Sequence, residues 1–452
     1  MSGPVKYHPR NLASKTILAV ALLTLVVGTS HITSSLAALD PPIVNLDPFQ
    51  RPSVSAPVGS ADLASRLGVN IHFTRDAAAL DAARLAGFTW IRMDLAWADV
   101  EIAPGVYDFS GYDQLITDLE ARDMRALLIL DYGHPLYTGG SNMPPITSTA
   151  LEAIGRYAET AARHFAGHGI CYEIWNEPNT YGFWLPQPNA AQYAALSNSL
   201  IARVRLGDPQ AQIVTGGLSG MDYVFLRDCL NDGAATGASA IGLHPYRWGA
   251  PETAEADVSA WRSIVSETLS SNLPTWDTEW GYSATWFGDG HTSEARTRQA
   301  VMAARELLTA WSAGFPLIVY YDLRDDGLDP SNAEHNFGLL ARDYSAKPAM
   351  QAVQALTAAA HGRQFTGVVP LGSTDLHALR LDGVAEVVMV LWSSSAEATV
   401  RVPASGTAVD MLGKPLALQP VDNQLELVIS EAAGPVYLTF PQYQAFLPLV
   451  SK

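Results

Sequence analysis

The sequence predicts a (β/α)8 barrel followed by a small antiparallel β-sandwich. Between Leu67 and about residue 360, eight short apolar runs alternate with segments whose apolar residues recur at helical spacing. The runs end in polar residues, as strands do where they feed the loops at the carboxyl face of such a barrel. Beyond residue 362 the pattern changes to short alternating strands separated by turn signals such as Asp382-Gly383.

The barrel strands are expected at 68–73, 89–93, 126–131, in the run that leads to Glu177, and at 212–216, 240–244, 274–279 and 316–321. Between them, Tyr112, Leu115, Ile116 and Leu119 share one helical face, as do Leu151, Ile154, Ala158, Ala161 and Phe165, and later Val301, Ala304, Leu308 and Trp311. These stripes are core packing. Sandwich strands are expected at 375–381, 385–392, 398–402, 425–429 and 436–440.

At the N-terminus, Lys6, Arg10 and Lys15 precede an apolar run at 17–27, and Ser35-Leu36-Ala37 has the small-residue pattern of a cleavage site. Residues 1–38 therefore read as an export signal or, if uncleaved, an N-terminal anchor offering membrane or cell-envelope attachment. Residues 39–60, rich in Pro and Ser without periodicity, read as a linker. The barrel is assigned 61–361 and the sandwich 362–452. The tail Phe446-Leu447-Pro448-Leu449-Val450 is apolar enough to dock on the sandwich or to meet an envelope partner.

At 452 residues, with 48% hydrophobic and 16% charged, the chain can bury a large core. A formal charge of −17 without a basic patch excludes nucleic acid as a partner. No phosphate-cradling loop or dinucleotide fingerprint occurs, so no cofactor is expected. Cys171 and Cys229 have no zinc-like spacing and read as two buried free thiols. Asp322, Asp325, Asp326 and Asp329 lack the calcium-loop pattern, so they read as a solvated or substrate-facing loop and no metal is expected.

A barrel gathers its strand ends on one face: Asn70 and His72, Arg92 and Asp94, Asp131 and Tyr132, Asn176 and Glu177, His244 and Tyr246, Glu279 and Trp280, Tyr321 and Asp322. Glu177 and Glu279 stand out. Cleavage of a glycosidic bond needs one carboxylic acid to protonate the leaving oxygen and a second carboxylate across the anomeric carbon. A lone strand-end Glu is as often a salt-bridge partner, but two with aromatic neighbours favour chemistry.

The corner Trp175-Asn176-Glu177-Pro178 and the stretch Trp276-Asp277-Thr278-Glu279-Trp280-Gly281 resemble the clan A glycoside hydrolases, retaining (β/α)8 enzymes. Within the clan the chain is most similar to family 39 and its exopolysaccharide-hydrolysing relatives, through 92–107, His244-Pro245-Tyr246, Asn336-Phe337-Gly338-Leu339 and Lys347-Pro348. This resemblance implies that Glu177 is the acid/base and Glu279 the nucleophile. Asn176 is expected to bond the sugar 2-hydroxyl, Arg92 to place a cation beside Glu279, Tyr246 to donate to that carboxylate, and His244 to hold Glu177 or the sugar. Trp97, Trp184, Trp248, Trp280 and Tyr321 are expected to offer faces on which pyranose rings stack. Many clan members place Trp at the end of strand eight, where this chain has Tyr320-Tyr321-Asp322.

The sequence thus predicts a secreted or surface-held retaining glycosidase acting on a β-linked extracellular polysaccharide or oligosaccharide, with endo cleavage expected. An exo-acting β-xylosidase-like enzyme is the alternative within that class. A non-catalytic polysaccharide-binding surface protein and a transglycosylase are the alternatives outside it.

Overall fold

Eight parallel strands close into a barrel: Leu67–Asn70, Trp90–Ala96, Arg125–Asp131, Cys171–Ile174, Gln212–Ser219, Ala240–His244, Thr275–Trp280 and Ile318–Tyr320, here called strands one to eight. The structure is a computed structural model, and it describes residues 41–57, 62–395 and 397–442, all within the compact unit Pro41–Lys452. Residues 1–38, read as a signal or anchor, lie outside the described residues, as does the apolar tail at 446–450. Among the described residues no helix is long and apolar enough to cross a membrane.

Alternation along the strands sets the site. Trp90, Leu127, Cys171, Val214, Trp276 and Val319 fill the barrel floor. Two residues further along the same strands, on the same side, come Arg92 in strand two and Glu173 in strand four, both fully buried. An apolar floor therefore carries a charged layer above it. Room for Glu173 comes from the neighbouring backbone, because a Cβ on Gly217 would stand 2.6 Å from Glu173 Oε1 and one on Gly242 3.0 Å from it.

Helices wrap the barrel with the stripes that the sequence shows. Ser148–His164 buries Ile154, Ala158 and Ala161, and its Thr147 N-cap accepts a hydrogen bond from the Ala150 amide. Ser293–Ser312 is buried along most of its length, since it packs on strand eight and on the helix Pro348–Ala360 and also meets the C-terminal module, where Arg298 donates to Glu431. Both cysteines are free and buried, Cys171 in the barrel floor.

The C-terminal module has two sheets. One core cluster joins Val387, Met389 and Leu438 of a seven-stranded sheet to Val400, Leu427 and Ile429 of a four-stranded one, the layering of a sandwich. The stretch read as a linker takes part in it. Ile43–Asn45 pairs parallel with Ala398–Pro403, and Val54–Ser55 pairs antiparallel with Gln364–Val368. These edge strands of three and two residues are too short to show a period of two in sequence, which is why they read as linker. Short strands at Thr407–Val409, Pro415–Leu416 and Gln419–Val421 escaped notice for the same reason.

The opposite face of the larger sheet packs on the barrel, with Phe365 against Trp311 at 5.3 Å between rings. A buried polar knot lies at this junction. Arg305 forks onto Glu252 at 2.8 and 2.7 Å, and Trp392 of the sandwich donates to the same carboxylate at 2.6 Å. Removing one member of such a pair strands the other, at a cost of about 3–5 kcal/mol. Arg305→Met is therefore expected to lower unfolding free energy by about that amount in denaturant titration. A loss near zero would show that Glu252 is solvated without its partner.

Candidate active site

Arg92 organises the carboxyl face of the barrel. Its Nε donates to Glu173 Oε2 at 2.6 Å, Nη2 to Asn176 Oδ1 at 2.9 Å, and Nη1 to Asn70 Oδ1 at 3.3 Å and to Glu279 Oε2. One guanidinium thereby ties strands one, two, four and seven together. Glu279 is held from the other side by Tyr246, whose hydroxyl donates to Oε1 at 2.9 Å. With both oxygens fixed, the carboxylate has little rotational freedom left.

Glu177 sits on a strained corner. Trp175 and Glu177 adopt φ of 65° and 44°, a region that side chains other than glycine rarely occupy. The conformation is held by the Trp175 indole donating to Phe183 O at 3.1 Å and by the Glu177 amide donating to Gly217 O at 3.0 Å. His244 Nδ1 lies 3.0 Å from Glu177 Oε1, and its Nε2 lies 3.9 Å from Glu173 Oε1. Burial alone would lower the His244 pKa, but Glu279, Glu173 and Glu177 outweigh it and push it up to about 9. A pKa raised this far favours the charged ring at neutral pH, with Nδ1–H directed to Glu177, against the opposing Arg92 Nη2 at 3.4 Å from Nε2. Burial alone would raise the Glu173 pKa, yet Arg92 and His244 hold it down at about 2.

Glu177, His244 and Glu279 each bring a polar atom within 4.8 Å of the others. One oxygen of Glu177 therefore lies within 4.8 Å of one oxygen of Glu279, a close approach of the kind found in retaining glycosidases, whose carboxyl groups stand roughly 5–5.5 Å apart. Although three such groups can bind a metal, His244 Nδ1 carries the proton it gives to Glu177.

Of the aromatic residues expected to bind sugar, three do not reach the cleft. Trp97, Trp184 and Trp280 are fully buried. Trp97 is stacked on Tyr137 at 5.0 Å and donates to Glu101 at 2.5 Å. Trp184 packs edge-on against Trp175 at 5.5 Å, in the layer behind the corner. Trp280 follows Glu279 directly, and a register shift in strand seven between Asp277 and Trp280 breaks the inward parity of Trp276, so that Glu279 meets Arg92 while Trp280 is buried in the cluster shared with the surrounding helices. Trp248, by contrast, is 78% exposed and lies 4.6 Å from Trp286. Trp286 leads through Phe337 at 5.5 Å to Tyr321 at 5.2 Å, making a continuous aromatic wall from the loop after strand six to strand eight.

Glu173 and Phe337 are the residues that strand-end reasoning missed. Glu173 lies four residues before Glu177, yet it shares the inward parity of Cys171, a signal the sequence does carry. Phe337 comes from a loop, where no periodicity points inward.

Barrel, buried arginine and narrowly spaced glutamates define an O-glycosyl hydrolase of clan A, a class that acts with retention by double displacement. More particularly, the chain belongs to the cellulase family, glycosyl hydrolase family 5, whose model matches residues 56–315. Similar solved structures include a family 39 glycoside hydrolase from the gut symbiont Bacteroides cellulosilyticus WH2, at 24% identity over 84% of this chain and 81% of that one, with a TM-score of 0.72. A GH39 β-xylosidase from Caulobacter crescentus is 17% identical over 88% of this chain and 100% of its own, with a TM-score of 0.65. A GH30 endoxylanase from Clostridium papyrosolvens C71 is 10% identical over 88% and 99%, with a TM-score of 0.58. At these identities the likeness carries the fold, and family 39 enters through it. No curated protein sequence matches the chain.

The charge network sets a pH dependence. The His244 pKa is raised, so its contribution to stability is complete below about 6.5 and is lost as pH rises through about 9. The Glu173 pKa is lowered, so its contribution is complete above about 4.5 and is lost as pH falls through about 2. Denaturant midpoints measured from pH 6.5 to 10 should fall in the wild type and fall less in His244→Asn. Equal slopes would show that His244 is neutral in the folded protein.

Proposed function

We propose that Glu177 is the general acid/base and Glu279 the nucleophile of an exported hydrolase that cleaves a β-linked extracellular polysaccharide within the chain. The observation that carries this reading is the close approach of the two carboxylates, one anchored by Arg92 and Tyr246, the other by His244. Glu279 attacks the anomeric carbon while Glu177 gives its proton to the departing oxygen. A glycosyl ester on Glu279 results. Glu177, now a carboxylate, takes a proton from water as that water attacks the same carbon and frees Glu279. Two inversions leave the anomeric configuration unchanged.

Positioning falls to the neighbours. Asn176 uses its carbonyl oxygen on Arg92, which turns its amide NH2 toward the position of the sugar 2-hydroxyl. Trp248, Trp286 and Tyr321 offer stacking faces along one wall, a length suited to several sugar units. Export rests on the basic and apolar pattern of residues 1–38.

An exo-acting, β-xylosidase-like reading is favoured by one feature. The loops after strands three and four are joined, Asn142 Nδ2 donating to Gly182 O at 2.5 Å and the Leu185 amide to Asn142 O at 3.0 Å. Such a joint would suit a wall that closes one end of the cleft.

NMR of the first-formed product should show retention, and Glu279→Gln should lower kcat at least about a thousandfold. Initial inversion, or normal activity in that variant, would reject the assignment. For the mode of attack, longer oligosaccharides should be cleaved faster than aryl monosaccharides, because remote subsites contribute to the chemical step. Release of monosaccharide alone from the first minutes of polymer digestion would favour the exo reading.

A further inference from the structure

Beside the reaction centre, where strand eight meets strand one, lies a second group of polar side chains that the proposed chemistry leaves unused. His72 Nδ1 is 3.0 Å from Asp326 Oδ1 and 3.8 Å from Asp322 Oδ2, and all three residues bring polar atoms within 4.8 Å of one another. Asp322 is buried, and its Oδ1 has no hydrogen-bond partner among the described residues. His72 and Asp326, with side chains 33% and 34% exposed, open the group to solvent at the carboxyl face of the barrel. The ring of Tyr321 stands 5.6 Å from His72, and its hydroxyl donates to Glu334 at 3.0 Å.

An ionised carboxylate oxygen buried without a donor costs on the order of 1–3 kcal/mol or more, which is why burial pushes the Asp322 pKa well up and why a cationic donor from outside the protein would hold it ionised. The local charges narrow its identity. Burial alone would lower the His72 pKa, but Asp326, Asp322 and Asp94 outweigh it and push it up to about 10. His72 is thus one positive charge facing Asp322 and Asp326, with Asp94 and Glu334 close behind. Other nearby cations are engaged elsewhere: Arg92 on Glu173 and Glu279, Lys347 on Asp325 at 2.8 Å, and Arg324 on Asp76 at 3.0 Å. Carboxyl groups are left in excess of cations, and burial with mutual repulsion raises the Asp322, Asp94 and Glu334 pKa values for want of a second positive charge. Sugar hydroxyls would satisfy the hydrogen bond but leave that excess, whereas an ammonium group removes both. A metal ion would have to displace the proton that His72 holds against Asp326.

We propose that His72, Asp322 and Asp326 form a subsite for a sugar bearing a free ammonium group, a de-N-acetylated hexosamine unit of the polymer. This rests on the glycosidase reading of Glu177 and Glu279, and it names the substrate class for that cleft. Tyr321 supplies the adjoining face, and Asp94, which senses both His72 and Glu279, links the subsite electrostatically to the reaction centre.

The test uses the full chain carrying Glu177→Gln, to prevent turnover, titrated by calorimetry with chitosan tetrasaccharide, chitin tetrasaccharide and cellotetraose. The free-amine sugar should bind roughly tenfold or more tightly than the other two, and the preference should shrink with salt. Adding Asp326→Asn, a change at a partly exposed side chain, should remove the preference while leaving the neutral sugars nearly unchanged. Equal binding of the three sugars, or a preference that survives Asp326→Asn, would overturn the proposal. So would saturable binding of calcium or zinc ions that Asp326→Asn abolishes, since the group would then be a metal site. Wild-type turnover separates the two readings. Cleavage of neutral sugars without amine preference would sink the subsite and keep the hydrolase, while amine-selective binding without turnover of any glycan would do the reverse.

Discussion

The fully buried guanidinium of Arg92 is the constraint on which the site depends. A cation without water is costly in a protein interior unless carboxylates surround it, and here Glu173 and Glu279 do so with Asn70 and Asn176 completing the set. Glu173 is the permanent partner, buried with Arg92 and held ionised. Glu279 is the partner at the cleft, and in the proposed reaction it gives up its charge while Glu173 keeps the arginine paired. The glycines at 217 and 242 follow from this, because a side chain at either would collide with Glu173. So does the apolar floor, which keeps water from reaching the pair from below.

From that pair the coupling runs through His244 to Glu177. The imidazolium stands between Glu173 and Glu177, so the acid/base candidate is connected to the buried arginine through one ring. A change at Glu173 would be felt at both glutamates of the cleft, though it touches neither. The strained corner at Trp175 and Glu177 adds to this. Its φ angles are maintained by the indole of Trp175 and by strand five, so the position of Glu177 reflects the packing of the layer behind it.

Much of the barrel was legible because its strands and helices repeat with the two periods that backbone geometry imposes. The eight strands lie within a few residues of their expected places, and the strand-end rule brought Arg92, Asn176, Glu177, His244, Tyr246 and Glu279 to one face. What failed was the side on which aromatic residues point. Trp280, expected as a platform beside Glu279, is buried because strand seven shifts register between Asp277 and Trp280, an irregularity that no periodic pattern announces. Trp97 opens the one-turn helix Trp97–Val100 and Trp184 lies in a loop, segments too short to show a period, so their burial depends on partners such as Tyr137 and Trp175. The edge strands at 43–45 and 54–55 were hidden because their partners lie more than three hundred residues away in sequence, a pairing no local pattern can carry.

The central claim is that Arg92 holds Glu279 ready to form a covalent bond with sugar. The most direct measurement is intact-mass and peptide analysis after incubation with activated 2-deoxy-2-fluoro β-glycosides, whose glycosyl-enzyme esters break down slowly. The account predicts one added sugar per chain, on Glu279, with no label in Glu279→Gln. A label on another carboxylate, or continued hydrolysis with none trapped, would contradict it.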